Sequence, residues 1–151
     1  GYVRCLTPVA APASGVRLDA LSCYAAPFDS IQWFTVEAVG NITDPVYRAD
    51  PTMVRLRSAY NPSVCVDVAG GTATGGEVMQ LFTCHMGWNQ RFHLPKPASA
   101  RASATGPILS KHSGYGMAIE GDAPGFSPLG RTWHRSYNAA NLYQRWRFAV
   151  R

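Results

Sequence analysis

Charge is scarce in this chain of 151 residues. Asp, Glu, Lys and Arg make up 15% of it, and only two positions, Lys96 and Lys111, are lysine. Hydrophobic residues make up 46%, and a chain so rich in them and so poor in charge is too apolar to stay disordered. No apolar run approaches the roughly 20 residues that a membrane-spanning helix requires, so no span is expected. No apolar stripe at 3.6-residue spacing persists long enough to argue for a helix either, which sets aside a helical bundle. Metal-site spacing is missing too. There is no Cys-x-x-Cys, and Cys84-His85 stands without further Cys or His at ligand spacing, so neither a metal nor another cofactor is expected. The motifs of catalysis are also missing. The chain has no Gly-x-Ser-x-Gly and no His-Glu-x-x-His, and the glycines between Gly70 and Gly76 are not followed by the Lys-Ser or Lys-Thr of a phosphate loop. His85, His93, His112 and His134 are scattered, and Asp67 and Glu77, which mimic a glycosidase pair, flank a glycine-rich turn. No enzyme is expected.

What the chain does have is turns. With 14 Gly and 11 Pro, short β-prone runs separated by Gly, Pro, Asn and Asp clusters recur along its whole length, and that length suits one all-β domain. Two segments read as long surface connections, residues 40–51 and the Ala/Ser-rich stretch 97–106. Asn41-Ile42-Thr43 matches a glycosylation sequon, although Asn41 also reads simply as a turn residue.

One stretch carries more chemistry than the rest. Val64-Cys65-Val66-Asp67-Val68 alternates and runs into glycines; Val78-Met79-Gln80-Leu81-Phe82-Thr83-Cys84 is a second strand; Asn89-Gln90-Arg91-Phe92 closes the unit. Side chains alternate along a strand, so Val78, Gln80 and Phe82 share a face. Asp67, Gln80, Asn89 and Phe82 supply an acidic acceptor, amides that donate and accept, and an aromatic platform. A hexose, with vicinal hydroxyls and an apolar C–H face, needs that set. Taken singly, Asp67 also suits a turn or cap and Phe82 a core, so the argument rests on their co-occurrence.

The Cys-x-Asp pair, the Gln-x-aromatic strand ending in a second Cys, and the closing Gln-x-Phe resemble one repeat of a ricin B-type lectin. The resemblance implies a β-trefoil of three diverged repeats, with Asp67, Gln80, Phe82 and Asn89 at the sugar-binding positions and Gln90 as the more structural amide beside them. Many members have Trp where this chain has Phe82, which offers a smaller stacking surface and no indole N–H.

Gln-x-aromatic endings recur at Gln32-Trp33-Phe34, Gln90-Arg91-Phe92 and Gln144-Arg145-Trp146, which lie 58 residues (90 − 32) and then 54 residues (144 − 90) apart. Each leads into an alternating run, and three units of about 1–40, 51–96 and 107–151 fill a single domain. Four cysteines allow three pairings in principle. The repeat selects Cys5 with Cys23 and Cys65 with Cys84, at similar separations of 18 (23 − 5) and 19 (84 − 65) residues. Disulfides imply an oxidising compartment, so secretion is expected. The chain starts at Gly1 with no charged n-region and apolar core, so the signal peptide is expected to have been removed already.

The other two repeats are degenerate. Matching cysteines puts Thr7 where Asp67 lies, Asp19 where Gln80 lies and Leu21 where Phe82 lies, so repeat one is expected to bind no sugar. Little sequence precedes Cys5, which leaves the opening strand of this repeat missing, shortened or supplied from elsewhere. In repeat three Glu120 takes the acidic position, Arg131 that of Gln80 and Trp133 the platform, with Tyr143 replacing Asn89. These residues suit a second site for a different, acidic ligand, and suit equally an exposed ion pair beside a core Trp.

The net charge of +5 comes from 12 Arg and 2 Lys, and Arg131, Arg135, Arg145, Arg147 and Arg151 crowd the last repeat. This balance favours anionic partners such as sialylated or sulfated glycans. No RNA or DNA module accompanies it, so nucleic acid is not expected as a partner. The resemblance implies a secreted, targeting lectin for galactose-type or related glycans of cell-surface glycoproteins or glycolipids. Ricin B-type domains also serve as non-catalytic delivery or scaffold subunits of multi-subunit bacterial toxins, including subunits similar to those of cytolethal distending toxins. There other toxin subunits are partners as well as, or instead of, sugar.

Overall fold

The computed structural model describes residues 4–24, 28–39, 53–71, 75–94, 104–111, 113–119, 132–135 and 146–148. Twelve short strands run through them: β1 (Arg4–Pro8), β2 (Leu18–Ser22), β3 (Phe34–Ala38), β4 (Met53–Ser58), β5 (Val64–Val68), β6 (Met79–Thr83), β7 (Phe92–His93), β8 (Ala104–Gly106), β9 (Leu109–Ser110), β10 (Gly116–Ile119), β11 (Thr132–Arg135) and β12 (Trp146–Phe148). The helical pieces among the described residues are short 3-10 turns, at Phe28–Gln32, Ala69–Gly71 and Trp88–Gln90.

The pairing repeats three times, and the protein is a β-trefoil. Repeat two is the fullest unit. β5 and β6 form a hairpin in which Asp67 lies opposite Gln80 and Cys65 opposite Phe82, while β4 pairs with β7, the first strand with the last. Repeat one repeats the hairpin as β1 with β2, in which Thr7 lies opposite Asp19 and Cys5 opposite Leu21. The cysteine-matched alignment of the two repeats therefore holds residue for residue. Repeat three repeats it as β10 with β11, and β12 again pairs back to an opening strand, β8. Neighbouring repeats join through β3 with β4 and β7 with β9.

The stretch 97–106 departs from its sequence reading as a surface connection, because its last three residues are β8. Ala104 and Gly106 have weak strand propensity, and the ladder to β12 places them with Thr105 in the sheet. Between β8 and β9 the chain runs through Pro107, which has no N–H to give a ladder. The expected connection at 40–51 and the sequon at Asn41 lie outside the described residues.

Alternation builds the core. Val64, Val66 and Val68 point inward from β5, Met79 and Leu81 from β6, and Leu18 and Ala20 from β2. Leu56, Phe92, Ile108, Met117 and Trp146 complete one cluster drawn from all three repeats. Trp146 donates its indole N–H to the Met117 carbonyl at 2.9 Å, and the Thr132 hydroxyl donates to the Leu18 carbonyl at 2.6 Å, so both buried polar groups are satisfied. Bonds link Cys5 to Cys23 and Cys65 to Cys84, each across one hairpin. Loops with separations of 18 and 19 residues are each stabilised by about 3 kcal/mol on the chain-entropy account.

Repeat one also braces repeat two. The Gly15 N–H donates to the Leu81 carbonyl and the Leu81 N–H to the Val16 carbonyl, each at 2.7 Å, and Arg17 forms an isolated bridge with Gln80. The loop ahead of β2 therefore pairs with the outer edge of β6, the strand that carries Gln80 and Phe82.

Candidate functional site

The inward faces of β5 and β6 are filled by valines, Met79 and Leu81, so their outward faces carry Cys65, Asp67, Gln80 and Phe82. Behind β5 the chain turns sharply through Gly70 and Gly71, at φ +74° and +61°, a region that favours glycine. Gly71 sits against the Asn89 side chain, where an added Cβ would lie 3.8 Å from the amide. The 3-10 turn Trp88–Gln90 then presents Asn89 and Gln90 over Asp67. Arg91, buried beneath this turn, stacks its guanidinium 5.8 Å from the Trp88 ring centre and donates to the Met86 carbonyl, which fixes the 86–91 segment.

Asp67 is the hub. Its Oδ1 accepts from Gln80 Nε2 at 2.9 Å, and its Oδ2 accepts from Asn89 Nδ2 at 2.7 Å and Gln90 Nε2 at 3.0 Å. Four of the five sugar-site residues named from the sequence thus meet on one carboxylate. The fifth, Phe82, stands beside them, 41% exposed, in a position to act as a platform. Asp67 itself is 1% exposed, so the amides that orient it also cover it. Burial pushes its carboxyl above the usual carboxylate range, and the amide hydrogen bonds from Gln80 and Gln90 and the charge and hydrogen bond of His85 pull the other way. Gln90 is fully buried and ties the site to the backbone: Nε2 also donates to the Thr83 carbonyl at 3.0 Å, and Oε1 accepts the His85 N–H at 2.9 Å.

Two residues of the site were not legible in the sequence. His85 Nε2 lies 3.5 Å from Asp67 Oδ2, and its ring meets Phe82 edge-on with centroids 6.2 Å apart. His85 Nδ1 accepts the Gly87 N–H at 2.9 Å, so in the neutral ring Nε2 carries the proton and faces the carboxylate. Gly87 is the second. A Cβ there would lie 2.6 Å from His85 Cε1 and 2.9 Å from Asn89 Oδ1, closer than real contacts allow. Its signal in the sequence is only a glycine three residues past a cysteine.

Repeat one keeps the same frame with other chemistry. Gln32 Nε2 donates to Thr7 Oγ1 at 2.7 Å and to the Ser22 carbonyl at 3.0 Å, while its Oε1 accepts the Tyr24 N–H at 2.7 Å. Asp19, at the Gln80 position, is buried and held by Nε and Nη2 of Arg17, at 2.8 and 2.9 Å. In repeat three, Glu120 and Arg131 lie outside the described residues. Trp133 pairs with Ala118 through the β10–β11 ladder, and its side chain lies outside them as well. Among the described residues no three His, Cys, Asp or Glu side chains come together as a metal site, and no helix is long and apolar enough to cross a membrane.

No family model matches the chain, and no curated protein matches it in sequence. Solved structures match its fold. A designed three-fold symmetric protein, ThreeFoil, superposes with a TM-score of 0.73 at 16% identity, over 97% of this chain and 91% of that one. A lectin of Polyporus squamosus, solved with the influenza-binding epitope Neu5Acα2-6Galβ1-4GlcNAc, gives 0.65 at 18% identity over 96% of this chain. A mosquitocidal holotoxin gives 0.67 at 9% identity over 99% of this chain. The chain spans 46% of that lectin and 16% of that toxin. At such identities the likeness is one of fold.

Proposed function

We propose that this β-trefoil is a single carbohydrate-binding domain with its main site on repeat two, secreted and used to direct its bearer to galactose-type or related cell-surface glycans. One observation carries the reading: a carboxylate clamped by three side-chain amides lies next to an exposed aromatic ring. Oδ1 of Asp67 takes a single amide N–H and has room for a second donor, and because its amides cover it, a sugar hydroxyl reaches it only as the Gln80 side chain swings aside. The carbonyl oxygens of Gln80 and Asn89 accept further hydroxyl protons, Phe82 packs against the C–H face, and His85 limits how the ring sits above Asp67. On this reading these groups bind a sugar by hydrogen bonding and stacking alone. The two disulfides suit an extracellular setting. A solved lectin of the same fold bound to a glycan ending in sialylated galactose adds support for the ligand class.

A second role, as a non-catalytic delivery or scaffold subunit of a toxin, draws on the likeness to the mosquitocidal holotoxin and on the loss of the acidic and aromatic groups in repeat one. Sugar binding and partner binding are compatible in one chain. The test is a glycan array on the isolated chain, followed by titration calorimetry with the best galactose-terminated ligand. The reading expects one site, or two if repeat three also binds, and expects Phe82→Trp to bind at least as tightly, because a larger ring adds to a stacking contribution of about 0.5–1.5 kcal/mol. Three equivalent sites, or binding lost on enlarging the ring, would contradict it.

A further inference from the structure

The site on repeat two has a neighbour from repeat one. Arg17 and Gln80 face each other in an antiparallel bridge, and residues paired in that way send their side chains to the same face of the sheet. Gln80 in turn lies opposite Asp67. Asp67, Gln80 and Arg17 therefore form one row across the outward face, drawn from β5, β6 and the residue just ahead of β2. The next residues along agree, since Leu18 and Leu81 both enter the core. Exposure rises along the row: Asp67 is buried, Gln80 half-buried, and the Arg17 side chain 36% exposed.

Arg17 is held at both ends. Its carbonyl accepts the Val9 N–H at 3.0 Å, and the carbonyl before it, that of Val16, accepts the Leu81 N–H at 2.7 Å. Its head is clamped by Asp19, whose two carboxylate oxygens take Nε and Nη2 at 2.8 and 2.9 Å. Asp19 is buried, so a buried group sets the plane of the guanidinium. The repeated frame does not call for an arginine here: the matching position of repeat two, six residues before its second cysteine, is Val78. Direction matters as well. The paired segments run antiparallel, so Arg17 reaches towards Asp19 on the side of the row away from Phe82. Two residue steps separate Phe82 from Gln80 and two more separate Arg17 from Asp19, about 13 Å in all at the rise of a strand. Two linked sugars span that length better than one.

We infer that Arg17 belongs to an extended site, in which a galactose-type sugar on Asp67 and Phe82 carries a second, neutral sugar that lies across β6 onto the Arg17 guanidinium. The inference rests on the repeat-two reading above and adds a residue of repeat one to it. A guanidinium offers five N–H donors and a flat face, and sugar hydroxyls accept from it while Asp19 keeps the two it holds. The second sugar is neutral because Asp19 already balances the charge of Arg17 and Asp67 stands in the same row, so an anionic group gains little there.

Galactose and N-acetyllactosamine separate the two parts of the site. The unmodified chain is expected to bind N-acetyllactosamine more tightly than galactose in titration calorimetry. In heteronuclear NMR the Arg17 Nε–H resonance is expected to move with N-acetyllactosamine and to hold still with galactose. In Arg17→Lys, which keeps a cation for Asp19 but not the planar fork, the ratio of the two affinities is expected to fall about fivefold, the size of one hydrogen bond. An arginine that serves only as the partner of Asp19 would lower both affinities together and leave the ratio unchanged, and that result overturns the inference. So does an Nε–H resonance that ignores bound N-acetyllactosamine, which the unmodified chain reveals even if the variant does not fold. A loss confined to sulfated N-acetyllactosamine would make Arg17 an anion contact and overturns the neutral assignment. Binding of neither sugar to the unmodified chain refutes the repeat-two reading and this inference with it, an outcome distinct from the others.

Discussion

Gln32 and Gln90 hold their repeats in the same way. Each reaches the residue two past the first cysteine and the carbonyl one before the second, and each accepts the backbone N–H one after it. What they hold differs. Gln90 reaches Asp67, a carboxylate that two more amides also grip, whereas Gln32 reaches Thr7, whose hydroxyl donates to the Cys5 carbonyl at 2.9 Å and so closes on its own strand. Opposite Thr7 the charge of Asp19 is consumed by Arg17, and the platform position is Leu21. The Gln-x-aromatic ending is therefore architecture: it pins the hairpin ends of both repeats. The residues around it change without disturbing the frame.

The largest separation between the repeats is expected from truncating the two clamped residues. Asp67→Ala strips the acceptor from the Gln80, Asn89 and Gln90 amides in a buried setting, so glycan binding should vanish in calorimetry. Stability in urea should fall by about 3 kcal/mol. Thr7→Ala removes one neutral hydrogen-bond partner and should cost about 1 kcal/mol with binding unchanged. A folded Asp67→Ala protein that still bound the same glycan equally well would show that repeat two is not the site.

A smaller contrast concerns the glutamines. Gln32→Ala and Gln90→Ala each leave backbone groups without their side-chain partner and should destabilise by a similar amount, about 1–3 kcal/mol by denaturant melts. Only Gln90→Ala should weaken binding, because only it loosens the residue that meets the sugar. Equal loss of binding from both would mean that the two repeats share one site.

Smallest is a difference in pH response. Asp67 titrates and Thr7 does not. The Asp67 carboxyl is raised from its ordinary 3.8, so between that value and its folded value the native state holds more protons than the unfolded chain. Its contribution to stability is present in full below 3.8 and is lost as pH rises through the folded value. Glu37, lowered chiefly by its hydrogen bond to Arg57, behaves oppositely: its contribution is present above the ordinary 4.5 and is lost as pH falls through the folded value. Asp67→Asn should remove the first slope from stability against pH and leave the second, which paired urea titrations from pH 3 to 7 would resolve, the range being roughly that of carboxylate linkage.

Much of this architecture was legible in the sequence. The three Gln-x-aromatic endings mark the approaches to β3, β7 and β12, and the similar cysteine spacing marks two hairpins whose paired positions align residue for residue. Composition agrees with position in repeat two, where Val64, Val66 and Val68 alternate along β5 and glycines follow at the turn. The strand β8 was hidden because Ala104, Thr105 and Gly106 owe their conformation to a partner some forty residues later in the chain. His85 was hidden for a similar reason. Its place over Asp67 depends on a turn that only Gly87 lets close, and that is a matter of tertiary distance with no periodic pattern. Spacing matched Asp67 to Thr7 but did not disclose that its own amide partners cover it.

The loop of repeat one that lies along β6 has a consequence for how the protein breathes. The Leu81 N–H is held by Val16 and its carbonyl by Gly15, so the middle of the platform strand cannot release its amide proton to solvent unless the repeat-one loop lifts with it. Hydrogen exchange at Gly15 and Leu81 should then report one opening event, in which two repeats with different outward-facing side chains unfold as a single cooperative unit. A repeat without the acidic and aromatic groups at those positions still splints the one that has them, and a substitution that loosens its 13–17 loop reaches β6 without touching Gln80 or Phe82.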